Sequence, residues 1–262
     1  MSDEQQQAAA AAIPAGNPLT GHVAVVTGGA VRIGRAIALG LASAGADVCI
    51  HCGNSVAEAE AVCRLIQGMG RNCAVVRGDL SRPTETAREI LSAAASQLGP
   101  VTILVNNAAV FEPDELATLT DEVWQRQLAI NLQSPVWLSR EFAAQLPEGR
   151  MGGIVNLADW RALRPVPGHL SYTIAKAGLV AATKLLAQEL APRVRVNAIA
   201  PGAILPPPES SDEQFQRLAR KIPLRQTGGP EHIVQAVLFF LQNEFVTGEV
   251  LHVTGGQQLQ SS

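Results

Sequence analysis

Tyr172 and Lys176 are the pair whose types and spacing promise chemistry, and Tyr172 is the only tyrosine in the chain. They stand at i and i+4 of an apolar-periodic stretch, so on a helix both side chains leave the same face. An ammonium beside a phenol favours the phenolate, which is expected to bring the phenol pKa down from about 10 toward working pH. Tyr172 then serves as a general acid. Asn131 belongs to the same chemistry. It precedes Pro135 by four residues in a helical pattern, and a proline pushes aside the carbonyl four residues back. The freed carbonyl is expected to hold a water joining Lys176 to solvent, so that the proton leaving Tyr172 is replaced; the alternative is a kinked core helix.

A second group of residues suits an anion. Thr27-Gly28-Gly29-Ala30-Val31-Arg32-Ile33-Gly34 follows a Val-rich run and leads into a helical pattern. In that order the free N–H groups of the helix start face a pyrophosphate, and the missing Cβ atoms let it approach. Arg32 adds a long cation for phosphate or substrate. Gly78-Asp79-Leu80 follows the third strand pattern, where the Asp79 carboxylate can accept from an adenine amino group. Asn106-Asn107-Ala108-Ala109 ends the fourth, where small residues leave space for ribose and nicotinamide. The second strand ends His51-Cys52-Gly53-Asn54-Ser55, without the acid that holds an NAD 2′-hydroxyl. That absence favours NADP, with Asn54, Ser55 and Arg32 toward the 2′-phosphate; His51 is equally readable as a cofactor contact or a packing residue.

The elements that must position these residues alternate. Strands are expected at His22–Thr27, Asp47–Cys52, Asn72–Val76, Val101–Asn106, Gly153–Leu157, Val194–Ala198 and Val250–Val253. Helices are expected at Arg32–Ala44, Ala57–Met69, Glu85–Leu98, Asp121–Gln145, Tyr172–Leu190 and Glu231–Gln242, with Ser55 and Glu58 as a capping box for the second. Such alternation makes βαβ units, hence a single-domain, Rossmann-type α/β fold: a doubly wound, seven-stranded parallel sheet with helices on both faces. The domain is expected over residues 21–262, after a disordered leader at 1–20 that is rich in Gln and Ala. A hydrophobic fraction of 47% with 16% charged residues excludes a disordered chain. A net charge of −3 gives no basic excess for nucleic acid, and no apolar run is long enough for a bilayer. The cysteines Cys49, Cys52, Cys63 and Cys73 are not spaced as a disulfide scaffold, which points to a reducing cytoplasm. Cys49 and Cys52 lack a second pair to make a zinc site, and no metal is expected.

Together, Thr27 to Gly34, Asn106 to Ala109, Asn131, Tyr172 with Lys176, and Pro201-Gly202 resemble the short-chain dehydrogenase/reductase family from about His22 to Gly256. The family's glycine turn is usually Thr-Gly-x-x-x-Gly-x-Gly, whereas Arg32 stands at the middle glycine here. Its usual catalytic serine, thirteen residues before the tyrosine, is Asp159. Both departures, with His51 to Ser55 and Phe111, are similar to the pteridine reductases. The resemblance implies an NADPH-dependent reductase that gives hydride to a ring carbon of a dihydropterin or dihydrofolate. Tyr172, Lys176 and Asp159 would supply protons, and Phe111 would stack on the pterin. It also implies cofactor contacts from Gly28, Ile33, Gly34, Pro201 and Gly202, and a homotetramer with Val250 to Gly256 near an interface.

Asp159 also speaks for itself. An ionised carboxylate repels the oxyanion that grows on a reduced ketone. It suits a C=N bond in a ring bearing N–H donors; alternatively, apolar surroundings keep it protonated and serine-like. Phe111 is read equally as a stacking surface or a core residue. Residues 203–225, with prolines, Leu205 and a short helix Asp212–Lys221, read as a substrate lid. The rival readings are a carbonyl or 3-oxoacyl reductase and a dinucleotide sensor without turnover.

Overall fold

The computed structural model describes residues 17–206 and 212–259. Mostly Val- and Ile-rich runs, the central ones buried on both faces, make seven strands: β1 (Val23–Thr27), β2 (Asp47–Cys52), β3 (Cys73–Arg77), β4 (Ile103–Asn106), β5 (Gly152–Leu157), β6 (Val194–Pro201) and β7 (Val250–Val253). All pair in parallel, in the order β3-β2-β1-β4-β5-β6-β7. The order reverses between β1 and β4, which opens a crevice at the C-terminal strand ends where open α/β sheets take ligands.

Helices α1 (Arg32–Ser43), α2 (Val56–Gly68), α3 (Pro83–Leu98), α4 (Asp121–Leu128), α5 (Ser134–Gln145), α6 (Leu170–Leu190), α7 (Asp212–Ala219) and α8 (Pro230–Gln242) supply the connections. Two apolar layers result, since neighbouring strand residues face opposite ways. One layer joins Val26, Ile50, Ile37, Leu41, Val237 and Phe240; the other joins Val25, Leu104, Ile90, Leu138, Phe142 and Val196. Cys49 belongs to the second and Cys52 to the first, so this C-x-x-C pair points to opposite faces of the sheet. Among the described residues no helix is long and apolar enough to cross a membrane.

Four expectations need correction. The leader does not extend to residue 20: Asn17 to Thr20 form a turn, Leu19 is buried, and its N–H bonds the Ala44 carbonyl at the end of α1. Residues 1–16 lie outside the described residues. Ser55 is the N-cap of α2 but makes no side-chain capping bond, because its ψ of 55° departs from the extended backbone that aims a capping oxygen. The single helix Asp121–Gln145 is divided by a π-helical turn, Ala129–Gln133, with Pro135 in the first turn of α5. Proline cannot donate to the carbonyl four residues back, and the wider turn absorbs the defect. The lid helix ends at Ala219, not Lys221; residues 207–211 of the lid lie outside the described residues.

Candidate active site

The crevice begins with the turn after β1. Gly28 has a φ of +62°, where a side chain is strained. A Cβ on Gly34 would come within 2.1 Å of the Gly28 carbonyl and 2.5 Å of Asn107 Nδ2, so only glycine fits. Asn107 locks this turn to β4: its Nδ2 donates to the Thr27 carbonyl at 2.9 Å, while Thr27 Oγ1 accepts from the Asn107 and Ala108 N–H groups at 2.9 and 3.0 Å. The start of α1 faces this cradle with Gly28, Ile33 and Gly34, and the arrangement fits a dinucleotide pyrophosphate.

Arg32 takes a φ of +54°, a left-handed conformation strained for a residue with a Cβ. Its exposed guanidinium donates to the Pro206 carbonyl at 2.8 Å, tying the turn to the start of the lid beside Leu205. His51 is buried and does not present a free nitrogen to a cofactor. Its Nδ1 accepts from Gly28 N–H at 3.4 Å and its Nε2 donates to the Gly78 carbonyl at 3.2 Å, the tautomer being the one these partners require. Burial holds this imidazole down at about 4, against a smaller opposing effect of the Gly78 bond. Of the two readings of His51, these bonds favour the packing one, a strut between the glycine turn and the end of β3.

At the neighbouring strand ends, Asn54 and Asp79 are exposed and Ser55 is partly so. Hydrogen bonds from Ser81 lower the Asp79 carboxyl. The Leu80 side chain is buried in the core, and its carbonyl accepts from Ser134 Oγ at 2.7 Å, which leaves no side chain for the crevice. Ala108 and Ala109 line the end of β4, and Pro201-Gly202 the end of β6. A Cβ on Gly202 would meet Gln257 Oε1 at 2.7 Å.

Tyr172 enters from the first turn of α6. The start of that helix is anchored by Asp114, whose carboxylate accepts from the Ser171 N–H at 3.2 Å and from the Ser171 hydroxyl. The Tyr172 hydroxyl donates to Asp159 Oδ2 at 3.0 Å, and Asp159 Oδ1 accepts from the Arg161 N–H at 2.8 Å. Asp159 thereby caps the 3-10 turn Trp160–Ala162 while it holds the phenol. Lys176, fully buried, donates to the Leu157 carbonyl at 2.6 Å; its Nζ lies 5.7 Å from the Tyr172 ring centre.

This geometry overturns the expected acidity of the phenol. Burial first, then the Asp159 charge and hydrogen bond, push Tyr172 well above its ordinary value. Burial pulls Lys176 down to about 8, with Asp159 opposing. Desolvation dominates both groups, since both lie in the interior and the carboxylate, not the ammonium, touches the hydroxyl. Tyr172 is thus held as a neutral proton donor.

Asn131 is buried and spends its side chain on the loop after β4: Nδ2 donates to the Val110 carbonyl at 2.9 Å and Oδ1 accepts from the Val110 N–H at 3.2 Å. That loop carries Phe111, whose ring stacks on His169 at 3.8 Å and meets Tyr172 edge-on at 4.7 Å. Phe111 is 43% exposed, which places it on the site surface and not in the core. Sequence reasoning missed His169, Asp114 and the direction of Arg161, whose Cζ lies 5.4 Å over the Phe111 ring. A cavity of about 730 Å³ lies at the other end of the strands, lined by His22, Thr102, Gly152 and Val194, far from this chemistry.

The family model described as Enoyl-(Acyl carrier protein) reductase matches residues 20–258. The chain is similar to two solved structures of FolM Alternative dihydrofolate reductase 1 with NADP. The one from Brucella canis is 40% identical, with a TM-score of 0.88 over 93% of this chain and 97% of that one. The one from Brucella suis is 39% identical, with a TM-score of 0.89 over 93% and 98%. It is also 32% identical to 3-oxoacyl-[acyl-carrier-protein] reductase from Staphylococcus epidermidis, over 90% of this chain and 98% of that protein. With the glycine turn, the seven-stranded sheet and the Tyr172–Lys176 pair, these matches show that the chain belongs to the short-chain dehydrogenase/reductase family, as an oxidoreductase.

Proposed function

We propose that the protein is an NADPH-dependent reductase of dihydropterin- or dihydrofolate-type substrates. The observation that carries this reading is Asp159, hydrogen-bonded to Tyr172 at 3.0 Å where most of the family has serine. A carboxylate there disfavours a growing oxyanion and favours a ring nitrogen that must gain a proton. The 40% identity to an alternative dihydrofolate reductase in complex with NADP supports the same choice.

Gly28, Gly34 and the N–H groups of α1 would hold the pyrophosphate, with Asn107, Ala108 and Ala109 beside the nicotinamide half and Asp79 toward the adenine. Asn54, Ser55 and Arg32 would take the 2′-phosphate, since β2 ends without an acid. When bound, NADPH supplies the hydride for the ring carbon of the C=N bond. Tyr172 gives its proton to the adjacent nitrogen as that bond is reduced. Asp159 accepts from the phenol beforehand and orients it, and Lys176 balances the charge left on the oxygen. Phe111, partly exposed between His169 and Arg161, would meet a flat ring, and Leu205 would lie at the edge of the same site. The partly exposed edge strand β7 is consistent with assembly into a homotetramer, and the free cysteines with a cytoplasmic setting.

The 32% identity to a 3-oxoacyl reductase supports a carbonyl-reducing alternative. Following NADPH oxidation with dihydrobiopterin beside a panel of ketones and 3-oxoacyl thioesters separates the two. Turnover of the pterin is expected; turnover of ketones alone overturns the proposal.

A further inference from the structure

Among the described residues, Arg161 is a cation at this site whose donors are left over. Its backbone N–H is taken by Asp159, but its Nε is buried with no partner among the described residues. The guanidinium approaches Asp159 Oδ1 only to 3.7 Å, which is longer than a hydrogen bond. Its other neighbours are ring faces: Phe111 at 5.4 Å and Trp160 at 5.1 Å from Cζ. Rings hold a cation by their quadrupole and leave its in-plane N–H groups unspent. A three-quarters covered cation with unspent donors, next to the carboxylate that holds the phenol, matches a ligand that brings acceptors.

We infer that Arg161 determines specificity by donating to a carbonyl edge of the ring being reduced, so that the site selects heteroaromatic lactams over analogues that present an amino group there. The inference rests on the pterin reading above and deepens it. Its geometry is local: Asp159 touches both Tyr172 and the Arg161 turn, so the guanidinium lies within one ring's reach of the proton donor. Lysine at this position keeps the charge but loses the planar fork, and methionine keeps the length and loses both.

The test uses the enzyme loaded with NADP⁺ and two flat probes that differ at one edge, biopterin with its oxo group and the 2,4-diamino analogue of biopterin, which keeps the side chain and carries an amino group there. Calorimetric titration is expected to show biopterin binding weakened about tenfold or more in Arg161→Met, partly recovered in Arg161→Lys, with the diamino probe changed less than about twofold. A protein disturbed only in its packing would lose both probes alike, and that result overturns the inference. So does biopterin affinity within about twofold of wild type in Arg161→Met. A wild-type enzyme that binds neither probe and reduces no dihydropterin overturns the parent reading itself, a result distinct from either of these.

Discussion

Replacing Asp159 by serine, the residue most of the family carries, separates two jobs of one carboxylate. Oδ1 caps the turn through the Arg161 N–H at 2.8 Å, and Oδ2 accepts from the Tyr172 hydroxyl at 3.0 Å. Serine caps a helical turn about as well as aspartate, so the fold is expected to lose no more than about 0.5 kcal/mol. Its single oxygen cannot serve the phenol as well, and the charge is gone. A hydrogen bond to a charged group contributes about 1.5–3 kcal/mol. Expressed in the transition state, that is roughly a ten- to two-hundredfold fall in kcat/KM for dihydrobiopterin. Reduction of a 3-oxoacyl thioester should rise, since no carboxylate opposes the oxyanion. Tyr172 is the only tyrosine, so tyrosinate absorbance titrates it alone. Its pKa should be well above the ordinary value in the cofactor-free wild type and lower in the serine variant, because two of the three causes that raise it are Asp159. Steady-state NADPH oxidation, with a thermal midpoint as fold control, decides the matter. Unchanged pterin turnover together with an unmoved phenol titration would refute the reasoning.

Lys176→Met removes a burial penalty of about 3 kcal/mol near neutral pH, since the ammonium is held at about 8 against 10.5, but gives up the hydrogen bond to the Leu157 carbonyl, so its gain over wild type should be smaller than that penalty and largest at neutral pH. Between those values the unfolded chain binds more protons, so wild-type stability climbs with pH and the gap closes; thermal midpoints at a series of alkaline pH values check this, and a constant gap contradicts it. Arg32→Gly relieves the +54° φ, so stability should hold or improve by up to ~1 kcal/mol while NADPH binding weakens about tenfold, read by fluorescence titration; a marked loss of stability would be the contrary result. His51→Ala leaves the Gly28 N–H and Gly78 carbonyl without their partner and should cost about 1–3 kcal/mol. The wild type loses stability as pH falls from 6.5 toward 4, where the unfolded imidazole takes a proton and the buried one resists. The alanine variant should be flatter across that window, and equal slopes would remove the strut.

Much of the frame was legible because its causes are local. Apolar runs of four to eight residues alternating with helical spacing report burial and period directly, and each end of the seven strands lies at its expected residue or no more than three from it. Pro83 placed the start of α3 two residues earlier than the periodicity did, by occupying the first turn. The glycine turn and the Tyr172–Lys176 spacing were legible for the same reason. What failed was long-range. Asp114 anchors α6 from 57 residues away, and no spacing rule reports that. His51 sits at a strand end like a ligand contact, yet its partners Gly28 and Gly78 come from two other loops. The phenol's pKa was misjudged because sequence shows the neighbouring charge but not the depth of burial, and burial outweighs it.

The most direct test of pterin reduction is to follow the hydride itself. A single turnover with NADPH deuterated at the transferred position of its nicotinamide, given dihydrobiopterin and a 3-oxoacyl thioester in competition, should place the deuterium on a ring carbon of the tetrahydropterin, and Tyr172→Phe should slow that transfer. Deuterium found only on the carbinol carbon of a hydroxyacyl product would contradict it.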